Sequence, residues 1–464
     1  MGVGVSGWKL ASVVARSGGL GVLSGTALDL LLTRRLQTGD IGGDIREALA
    51  AFPYPETSER ILARYLLNPA KTQQGHTFRP TPQMGLRANK ARDELTVAAN
   101  FVEVYLARRG HDGPVGINYL EKIQLATPAS VYGAMLAGVD YVLMGAGVPA
   151  QIPRLLDALA AGSSGSIDLT VDGARTGERF YVAFDPMSVF GVAPALSRPR
   201  FLAVVASHAI AAYLARDTAT CPDGFVVETP IAGGHSARPR GIATFDEAGQ
   251  PLYGPRDEAD LEKFRKLGLP FWLAGGFGTP EKLRAARAAG AAGVQVGTAF
   301  ALSRDSGLTD ELRAELLRSA LSGDLDVRND AVASPTGFPF KMVTLPGTVG
   351  VPEVYDERER NCDLGYLRTT YRKDDGRVGY RCPSEPVDVF AAKGGDVAAT
   401  VGRRCVCNGL AATIGLPQTR PDGYREAPLV TLGQDLDFLG ALLPGGDASY
   451  GACDVMEYLT GQQQ

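Results

Sequence analysis

The sequence predicts a parallel α/β fold, most simply a TIM (β/α)8 barrel. Short segments that are apolar on both faces alternate with amphipathic segments over the first three quarters of the chain, which is typical of a parallel sheet. Eight such βα units favour a closed barrel, and an open doubly wound sheet is the alternative. The predicted strands are Gly2–Val5, Leu20–Leu23, Val115–Tyr119, Tyr141–Met144, Phe201–Ala206, Gly224–Glu228, Phe271–Ala274 and Gly293–Val296.

Helices are predicted between these strands, and two long insertions interrupt the pattern. One insertion covers residues 29–94 and contains helical pieces at Asp44–Ala51 and Thr57–Leu67. The other covers residues 162–200 and contains polar turns. The predicted helices between strands are Trp8–Ser17, Leu95–Arg109, Pro128–Ala137, Gln151–Ala160, His208–Ala215, Glu258–Leu267 and Pro280–Ala289.

Composition excludes several classes of protein. Hydrophobic residues make up 45% of the chain and charged residues 21%, as in an ordinary globular enzyme. A formal net charge of -4 with scattered Lys and Arg gives no nucleic-acid surface. No apolar run is long enough to span a membrane, and the first residues lack the pattern of a secretory signal. Six cysteines do not make a disulfide scaffold, so we expect a reducing, cytoplasmic compartment.

Glycines follow five of the predicted strands. In a barrel these turns share one rim, which is the rim where active sites are built. Turn geometry explains one glycine-rich turn, whereas five on the same rim favour a ligand that lies across it. The turns are Gly4–Gly7, Ser24–Thr26, Gly145–Gly147, Gly275–Gly278 and Gly297–Ala299.

The last two of these turns predict a phosphate site. Gly275–Gly278 leads into a helix with Thr279 as N-cap and Pro280 at its first position. Backbone N–H groups and a helix N-terminus bind anions, and barrels often hold a phosphate after strands 7 and 8. We therefore expect a phosphate-bearing cofactor or substrate. The chain has neither a dinucleotide-binding glycine motif with its downstream acid nor a P-loop.

His235 is the histidine best placed for chemistry. A buried strand ends at Glu228, and Gly233 and Gly234 then bring the imidazole onto a rim loop. Without Cβ atoms, this backbone can approach a flat ligand closely. A neutral imidazole near pH 7 can act as a base or orient a substrate. The other histidines, of which one is expected simply to begin a helix, are His76, His111 and His208.

Three motifs taken together resemble the nitronate monooxygenase family, once called 2-nitropropane dioxygenases. That family includes flavin-dependent enoyl-acyl-carrier-protein reductases. The resemblance covers roughly Met1 to Val343 and implies a barrel that binds FMN. The motifs are Glu228 with Ala232–His235, Leu273–Gly276 and Gln295–Phe300, and the segments Met1–Gly4 and Gly18–Gly21 fit the first βα unit of the family.

The resemblance also implies which residues hold the flavin. His235 would face the flavin and the substrate. Lys122 would place a positive charge near the pyrimidine edge, unless it is a surface lysine paired with Glu121. The residues implied at the FMN phosphate are Gly275, Gly276, Gly297 and Thr298. The residues implied along the rest of the cofactor are Met1, Gly2, Gly4, Asn118, Glu228, Gly233 and Gly234.

The chain departs from the family pattern in three respects. The family has a second glycine two residues after the histidine, whereas Ser236 and Ala237 follow His235 here. The first strand of the family begins several residues before the residue equivalent to Met1, which predicts a truncated start and a short first strand. The two insertions are expected over or beside the rim, where they would shape a pocket unlike one for small nitroalkanes.

The last quarter of the chain, residues 344–464, is predicted to be an extension beyond a barrel domain of residues 1–343. It contains five of the six cysteines, and four of these lie near arginines in separate loops. Four thiolates suit tetrahedral zinc or an iron–sulfur cluster, and a core-poor segment gains stability from a metal. The irregular spacing leaves ordinary buried thiols as the alternative. The candidate metal ligands are Cys362, Cys382, Cys405 and Cys407.

The resemblance implies two alternative reactions. The first is oxidation of a nitronate or similar carbanion by dioxygen, with FMN as cofactor and His235 beside it. The second is reduction of an enoyl thioester by NAD(P)H in lipid or polyketide biosynthesis, in which the insertions and extension would bind an acyl carrier protein. A flavin-binding scaffold without activity would leave His235 without a role. Either enzyme acts on a small molecule, and a homodimer is compatible with the sequence.

Overall fold

The computed structural model describes residues 2–67, 77–446 and 449–461. In chain order its strands are β1 (Gly21–Ser24), β2 (Val115–Leu120), β3 (Tyr141–Gly145), β4 (Gly165–Leu169), β5 (Phe180–Phe184), β6 (Arg200–Val205), β7 (Gly224–Glu228), β8 (Phe271–Ala274), β9 (Gly293–Gln295), β10 (Asp326–Asp330), β11 (Phe340–Thr344), β12 (Thr369–Arg372) and β13 (Val378–Arg381). Seven of these strands form one parallel sheet in the order β1-β2-β3-β6-β7-β8-β9.

Helices precede, connect and follow the strands of this sheet. In chain order they are α1 (Trp8–Arg16), α2 (Leu28–Gln37), α3 (Asp44–Ala50), α4 (Pro55–Tyr65), α5 (Lys90–Arg108), α6 (Thr127–Leu136), α7 (Ile152–Ala160), α8 (Pro186–Phe190), α9 (His208–Ala215), α10 (Leu261–Lys266), α11 (Pro280–Ala288), α12 (Thr298–Ala301), α13 (Asp310–Leu321), α14 (Pro352–Asp356), α15 (Val387–Ala392), α16 (Val406–Ala412), α17 (Leu439–Leu442) and α18 (Ala452–Thr460). Short 3-10 helices cover Gln124–Ala126, Val397–Thr400 and Pro444–Gly446. Within the described residues, no helix has the length and apolar character needed to cross a membrane.

The predicted fold class, a parallel α/β barrel, is confirmed. The seven parallel strands form a curled sheet with helices. The strands are buried on both faces, and Phe201 and Phe225 in β6 and β7 have no exposed surface. Burial of this kind removes apolar surface from water and is the main stabilising contribution to such a core.

The predicted strand Gly2–Val5 is wrong, because these residues form turns. Gly2 and Gly4 have φ values of 60° and 65°, which an extended strand does not allow. The sheet therefore contains seven of the eight predicted strands among the described residues.

The two insertions have secondary structure of their own. The helical pieces predicted in residues 29–94 are present as α3 and α4. Residues 162–200 form the antiparallel β4–β5 hairpin and α8. A bridge between Asp172 and Tyr371 joins the first part of this insertion to the β12–β13 hairpin of the extension.

The extension packs on the sheet domain through buried polar contacts. The hydroxyl of Tyr366 donates to the Asp29 carboxylate at 2.7 Å, and both residues are buried. Arg34 donates to the carbonyl of Leu416 at 2.6 Å. Because buried polar groups are costly unless they are hydrogen-bonded, these contacts fix how the extension lies on α2. The division at residue 343 stays a prediction.

Candidate active site

The carboxyl ends of β7, β8 and β9 form the edge of the candidate site. Their pairing places Glu228 level with Ala274, and Ala274 level with Gln295. On the other side of the sheet, Ser24 is level with Asn118. Parallel pairing thus brings the turns after these strands to one edge, as the sequence predicts.

A cavity of about 580 Å³ opens at this edge. Its size is in the range of cofactor and substrate sites. Met1 lies outside the described residues. The predicted site residues that line the cavity are Gly2, Asn118, Glu228, Gly233, Gly234, His235, Gly275, Gly276, Gly297 and Thr298.

Two predicted cofactor residues do not line this cavity. Gly4 packs against other elements, since a Cβ there would lie 2.6 Å from Leu31 and 2.9 Å from Ile414. Lys122 is partly exposed and forms an ion pair with Glu121 at 2.9 Å. The surface alternative for Lys122 therefore describes its position better than a place beside the flavin.

The turn after β8 has a shape that requires glycine. Gly275 and Gly276 have φ values of 87° and 77°, which residues with a Cβ rarely adopt. A Cβ on Gly275 would lie 2.3 Å from the Thr229 hydroxyl oxygen. The following helix α11 begins as predicted, because the Thr279 side chain accepts from the Lys282 N–H and Pro280 is first. A cradle of bare backbone at a helix start fits the phosphate expected for FMN.

A segment of the extension also forms part of the cavity wall. Its backbone donates from Gly433 to the Thr298 hydroxyl at 2.8 Å and from Gln434 to the Ile231 carbonyl at 3.1 Å. Thr431 accepts from the Gly234 N–H at 2.9 Å. These residues join the phosphate turn to the loop that carries His235. The sequence analysis missed them, because nothing in their local pattern indicates a site.

The extension places acidic groups beside the phosphate turn. Lys282 forms ion pairs with Asp435 at 2.6 Å and with Asp437 at 2.9 Å. An added Cβ on Gly276 would lie 3.4 Å from the Asp435 carboxylate. Lys282 therefore compensates a negative charge that would otherwise repel a phosphate.

We expect Lys282→Met to weaken FMN binding about 10-fold, because the Asp435 carboxylate loses its cation. Riboflavin, which has no phosphate, should bind the variant and the unchanged protein alike. Quenching of flavin fluorescence measures both affinities. Lys263→Met, which removes a lysine from an exposed ion pair with Asp260, is the matched control. Equal weakening of FMN and riboflavin binding would contradict the placement of the phosphate beside Lys282.

The His235 ring is held in one orientation. Its Nε2 lies 2.7 Å from the hydroxyl of Ser334, which is buried and lies 2.8 Å from the hydroxyl of Thr336. Phe340 packs edge-on against the ring with centroids 4.8 Å apart. Burial lowers the pKa of His235 to about 4. The imidazole is therefore neutral at physiological pH.

Glu228 is the acidic group at the end of β7. Burial raises the pKa of its carboxyl to about 7, and the nearby ammonium of Lys341 opposes this shift. Burial lowers the pKa of Lys341 to about 8, opposed in turn by Glu228. Near neutral pH the site therefore contains a neutral imidazole, a carboxyl close to its titration point and a buried lysine.

The raised pKa of Glu228 predicts a pH-dependent stability. Between about pH 4.3, where an unfolded glutamate titrates, and pH 7 the folded state holds a proton that the unfolded state has released. The contribution of Glu228 to the free energy of unfolding is thus complete below that range and is lost as the pH rises through 7. As the pH rises from 5 to 8, we expect the free energy of unfolding of Glu228→Gln to increase by on the order of 2 kcal/mol relative to that of the unchanged protein.

Urea unfolding at several pH values measures this difference. Glu311→Gln, on the exposed surface of α13, is the control and should show no such trend. Parallel stability profiles for Glu228→Gln and the unchanged protein would show that the Glu228 carboxyl does not cause the pH dependence of stability.

The metal site predicted from the four cysteines is wrong for the part of the chain that the structure describes. Within that part, no group of three or more His, Cys, Asp or Glu side chains is placed to hold an ion. The thiols are free, and Cys382 and Cys405 are buried. The hydrogen bond with Cys382, followed by burial, raises the pKa of Cys362, and burial raises that of Cys405 to about 12. Protonated thiols of this kind pack as small apolar side chains.

Comparison with known proteins identifies one segment of the chain. Residues 182–328 match the family model described as nitronate monooxygenase. The chain is also 28% identical over 210 residues to a Mycobacterium tuberculosis (strain ATCC 25618 / H37Rv) protein named (3aS,4S,5R,7aS)-5-hydroxy-7a-methyl-1-oxo-octahydro-1H-indene-4-carboxyl-CoA dehydrogenase. That match covers 42% of this chain and 56% of the relative, so the chain spans just over half the length of that protein.

Three solved structures are distantly similar. FabK from Thermotoga maritima has 15% identity and a TM-score of 0.46, over 98% of this chain and 88% of that one. The nitroalkane oxidase of Streptomyces ansochromogenes has 16% identity and a TM-score of 0.43, over 99% and 93%. The enoyl reductase domain of MlnA from Bacillus amyloliquefaciens has 10% identity and a TM-score of 0.41, over 80% and 84%.

Proposed function

We propose that the chain, whose residues 182–328 match the nitronate monooxygenase family model, binds FMN and oxidises a nitronate or similar carbanion with dioxygen. The proposal uses the cavity at the ends of β7, β8 and β9 as the shared site of cofactor and substrate. Bound FMN would supply an electron acceptor for the carbanion and, once reduced, an electron donor for dioxygen; in a reductase it would supply a hydride carrier between NAD(P)H and an enoyl thioester.

The proposed contacts with FMN follow from the cavity lining. Gly275 and Gly276 offer a turn of bare backbone, and Gly297 has no atom within 4 Å of a Cβ position, so it borders open space. Thr298 uses its hydroxyl oxygen to accept from Gly433, which leaves its O–H free to donate to a phosphate oxygen. Asn118 and Glu228 also line the cavity.

The placement of the His235 ring, which lines the cavity and is held by Ser334, is the observation that carries the proposed reaction. An imidazole with a pKa of about 4 is a weak base at neutral pH, because proton abstraction is most efficient when the pKa lies near the working pH. A substrate that arrives already as a carbanion needs no such abstraction. His235, fixed by Ser334, would then orient the nitronate by a hydrogen bond rather than generate it from the neutral nitroalkane.

Consumption of dioxygen tests this reaction. The FMN-loaded protein should consume dioxygen with a preformed nitronate and do so far more slowly with the neutral nitroalkane at pH 7. Equal rates with the two forms would contradict the role of His235, and no consumption with either would contradict the proposed function.

The enoyl-thioester reductase is kept as the second candidate because of one observation. The extension adds apolar side chains to the cavity wall, among them Val406, Leu410 and Leu429. An apolar wall of this kind suits an acyl chain, and an acyl carrier protein would then be the partner. Oxidation of NAD(P)H in the presence of an enoyl thioester, without dioxygen, would favour this candidate over the first.

A further inference from the structure

Lys341 is a buried lysine in β11 that no step described so far uses. None of its surface is exposed, although lysine is among the residues that are least often buried. Its ammonium donates to the Pro230 carbonyl at 2.5 Å and to the Ser236 hydroxyl at 2.8 Å. These two acceptors stand on either side of His235 in the chain, so one side chain holds both ends of the loop.

The main chain around Lys341 holds the same loop. The Lys341 N–H donates to the Gly234 carbonyl at 2.8 Å, and the Ser236 N–H donates to the Pro339 carbonyl at 2.9 Å. Between these bonds, His235 pairs with Phe340 in an isolated antiparallel bridge. The position of the imidazole therefore depends on contacts made by β11 immediately before and at Lys341.

The charges around the ammonium are few. Its two side-chain hydrogen bonds go to a carbonyl and a hydroxyl, and the acid that acts on it through space is Glu228. The hydroxyl of Tyr253, in the loop before α10, donates to the carbonyl of Ala237 at 2.8 Å, one residue beyond Ser236. Burying a cation lowers stability, which a purely structural role could avoid with an apolar residue.

We propose that Lys341 is a positioning residue of the active site. It fixes the Pro230–Ser236 loop so that His235 faces the cavity, and its ammonium balances the charge of Glu228. The proposal rests on the proposed function, because it assigns Lys341 a task in the reaction of His235. Lys341 does not line the cavity, so it acts through these two residues and not on the substrate or the flavin.

Lys341→Met tests the proposal, because it removes the ammonium and keeps most of the volume of the side chain. We expect FMN affinity and KM within about 3-fold of the unchanged protein and a fall in kcat of about 10- to 100-fold, the scale of a small misplacement of a reacting group. Because Glu228 lines the cavity, we expect its titration to appear as a limb of the kcat profile near pH 7. Without the ammonium, that limb should shift to higher pH. Lys341→Arg, which keeps the charge, should restore part of kcat.

The control is Lys393→Met, which removes a lysine paired with Glu385 at 2.6 Å in the extension, away from the cavity. It should leave kcat and its pH profile unchanged. The proposal is overturned if Lys341→Met keeps the kcat and pH profile of the unchanged protein, or if Lys393→Met lowers kcat equally.

A second variant keeps the test valid if Lys341→Met does not fold. Ser236→Ala removes one acceptor of the ammonium and should lower kcat about 3- to 10-fold, because the loop loses one of its two contacts with that group. An unchanged kcat in that variant would overturn the proposal. Failure of the proposed function is distinguishable, because it would appear as absent nitronate turnover in the unchanged protein, whereas the ratio of variant to unchanged protein tests Lys341.

Discussion

Replacing His235 with alanine is expected to leave FMN affinity unchanged and to lower nitronate turnover by about 10²- to 10³-fold, the scale for loss of one hydrogen bond to a reacting anion. The ring borders the cavity, and its removal takes away the group that would orient the carbanion. The backbone of the loop is held by Gly234 and Ser236 and not by the imidazole, so the cofactor site should remain intact. Flavin fluorescence gives the affinity, and steady-state dioxygen consumption gives the turnover.

His208→Ala is the matched control for this variant. His208 is the first residue of α9 and does not line the cavity, so its removal should change neither affinity nor turnover. Ser334→Ala frees the imidazole to rotate. It should lower nitronate turnover by about 10-fold, which lies between the effects of His235→Ala and His208→Ala. Full turnover by His235→Ala would remove the histidine from the mechanism.

Gly275→Ala is expected to weaken FMN binding by more than about 10-fold and to lower the free energy of unfolding by about 1 to 2 kcal/mol from backbone strain alone. The φ of 87° is unfavourable for alanine, and the new Cβ would lie 2.3 Å from the Thr229 oxygen and 3.0 Å from Ala232. The turn must therefore move, and the phosphate cradle moves with it. Fluorescence titration with FMN and urea unfolding measure the two effects.

Gly268→Ala separates strain from the loss of the cradle. Gly268 also has a positive φ, 72°, but a Cβ there would meet no atom within 4 Å. This variant should lose stability without losing FMN affinity. Equal FMN affinity in Gly275→Ala and Gly268→Ala would show that the turn after β8 does not bind the cofactor.

Much of the fold could be predicted from local sequence, because parallel strands and their helices have periodic apolar patterns. Phe225 and Phe271 lie in strands found in this way. The strand predicted at Gly2–Val5 failed, because two glycines in left-handed conformations turn an apolar run away from the sheet. The sequence predicts polar turns where the β4–β5 hairpin lies, because polar residues alternate with buried ones in β4, whereas the predicted strands are apolar on both faces.

The candidate site was predicted in part, for a similar reason. Residues in the turns that follow strands, such as Gly275 and Gly297, could be placed on one rim from their order alone. Thr431, Gly433 and Lys341 lie more than 100 residues along the chain from the groups that they bond, so only tertiary packing brings them to the site. The cysteines of the extension suggested a metal by number, whereas their described placement leaves them as free thiols.

An anaerobic titration of the FMN-loaded protein tests the central claim most directly. Addition of a nitronate alone, without dioxygen or nicotinamide, should bleach the oxidised flavin absorbance in proportion to the nitronate added, and admission of dioxygen should restore it. Bleaching by NAD(P)H with no response to the nitronate would contradict nitronate oxidation and assign the site to an enoyl-thioester reductase.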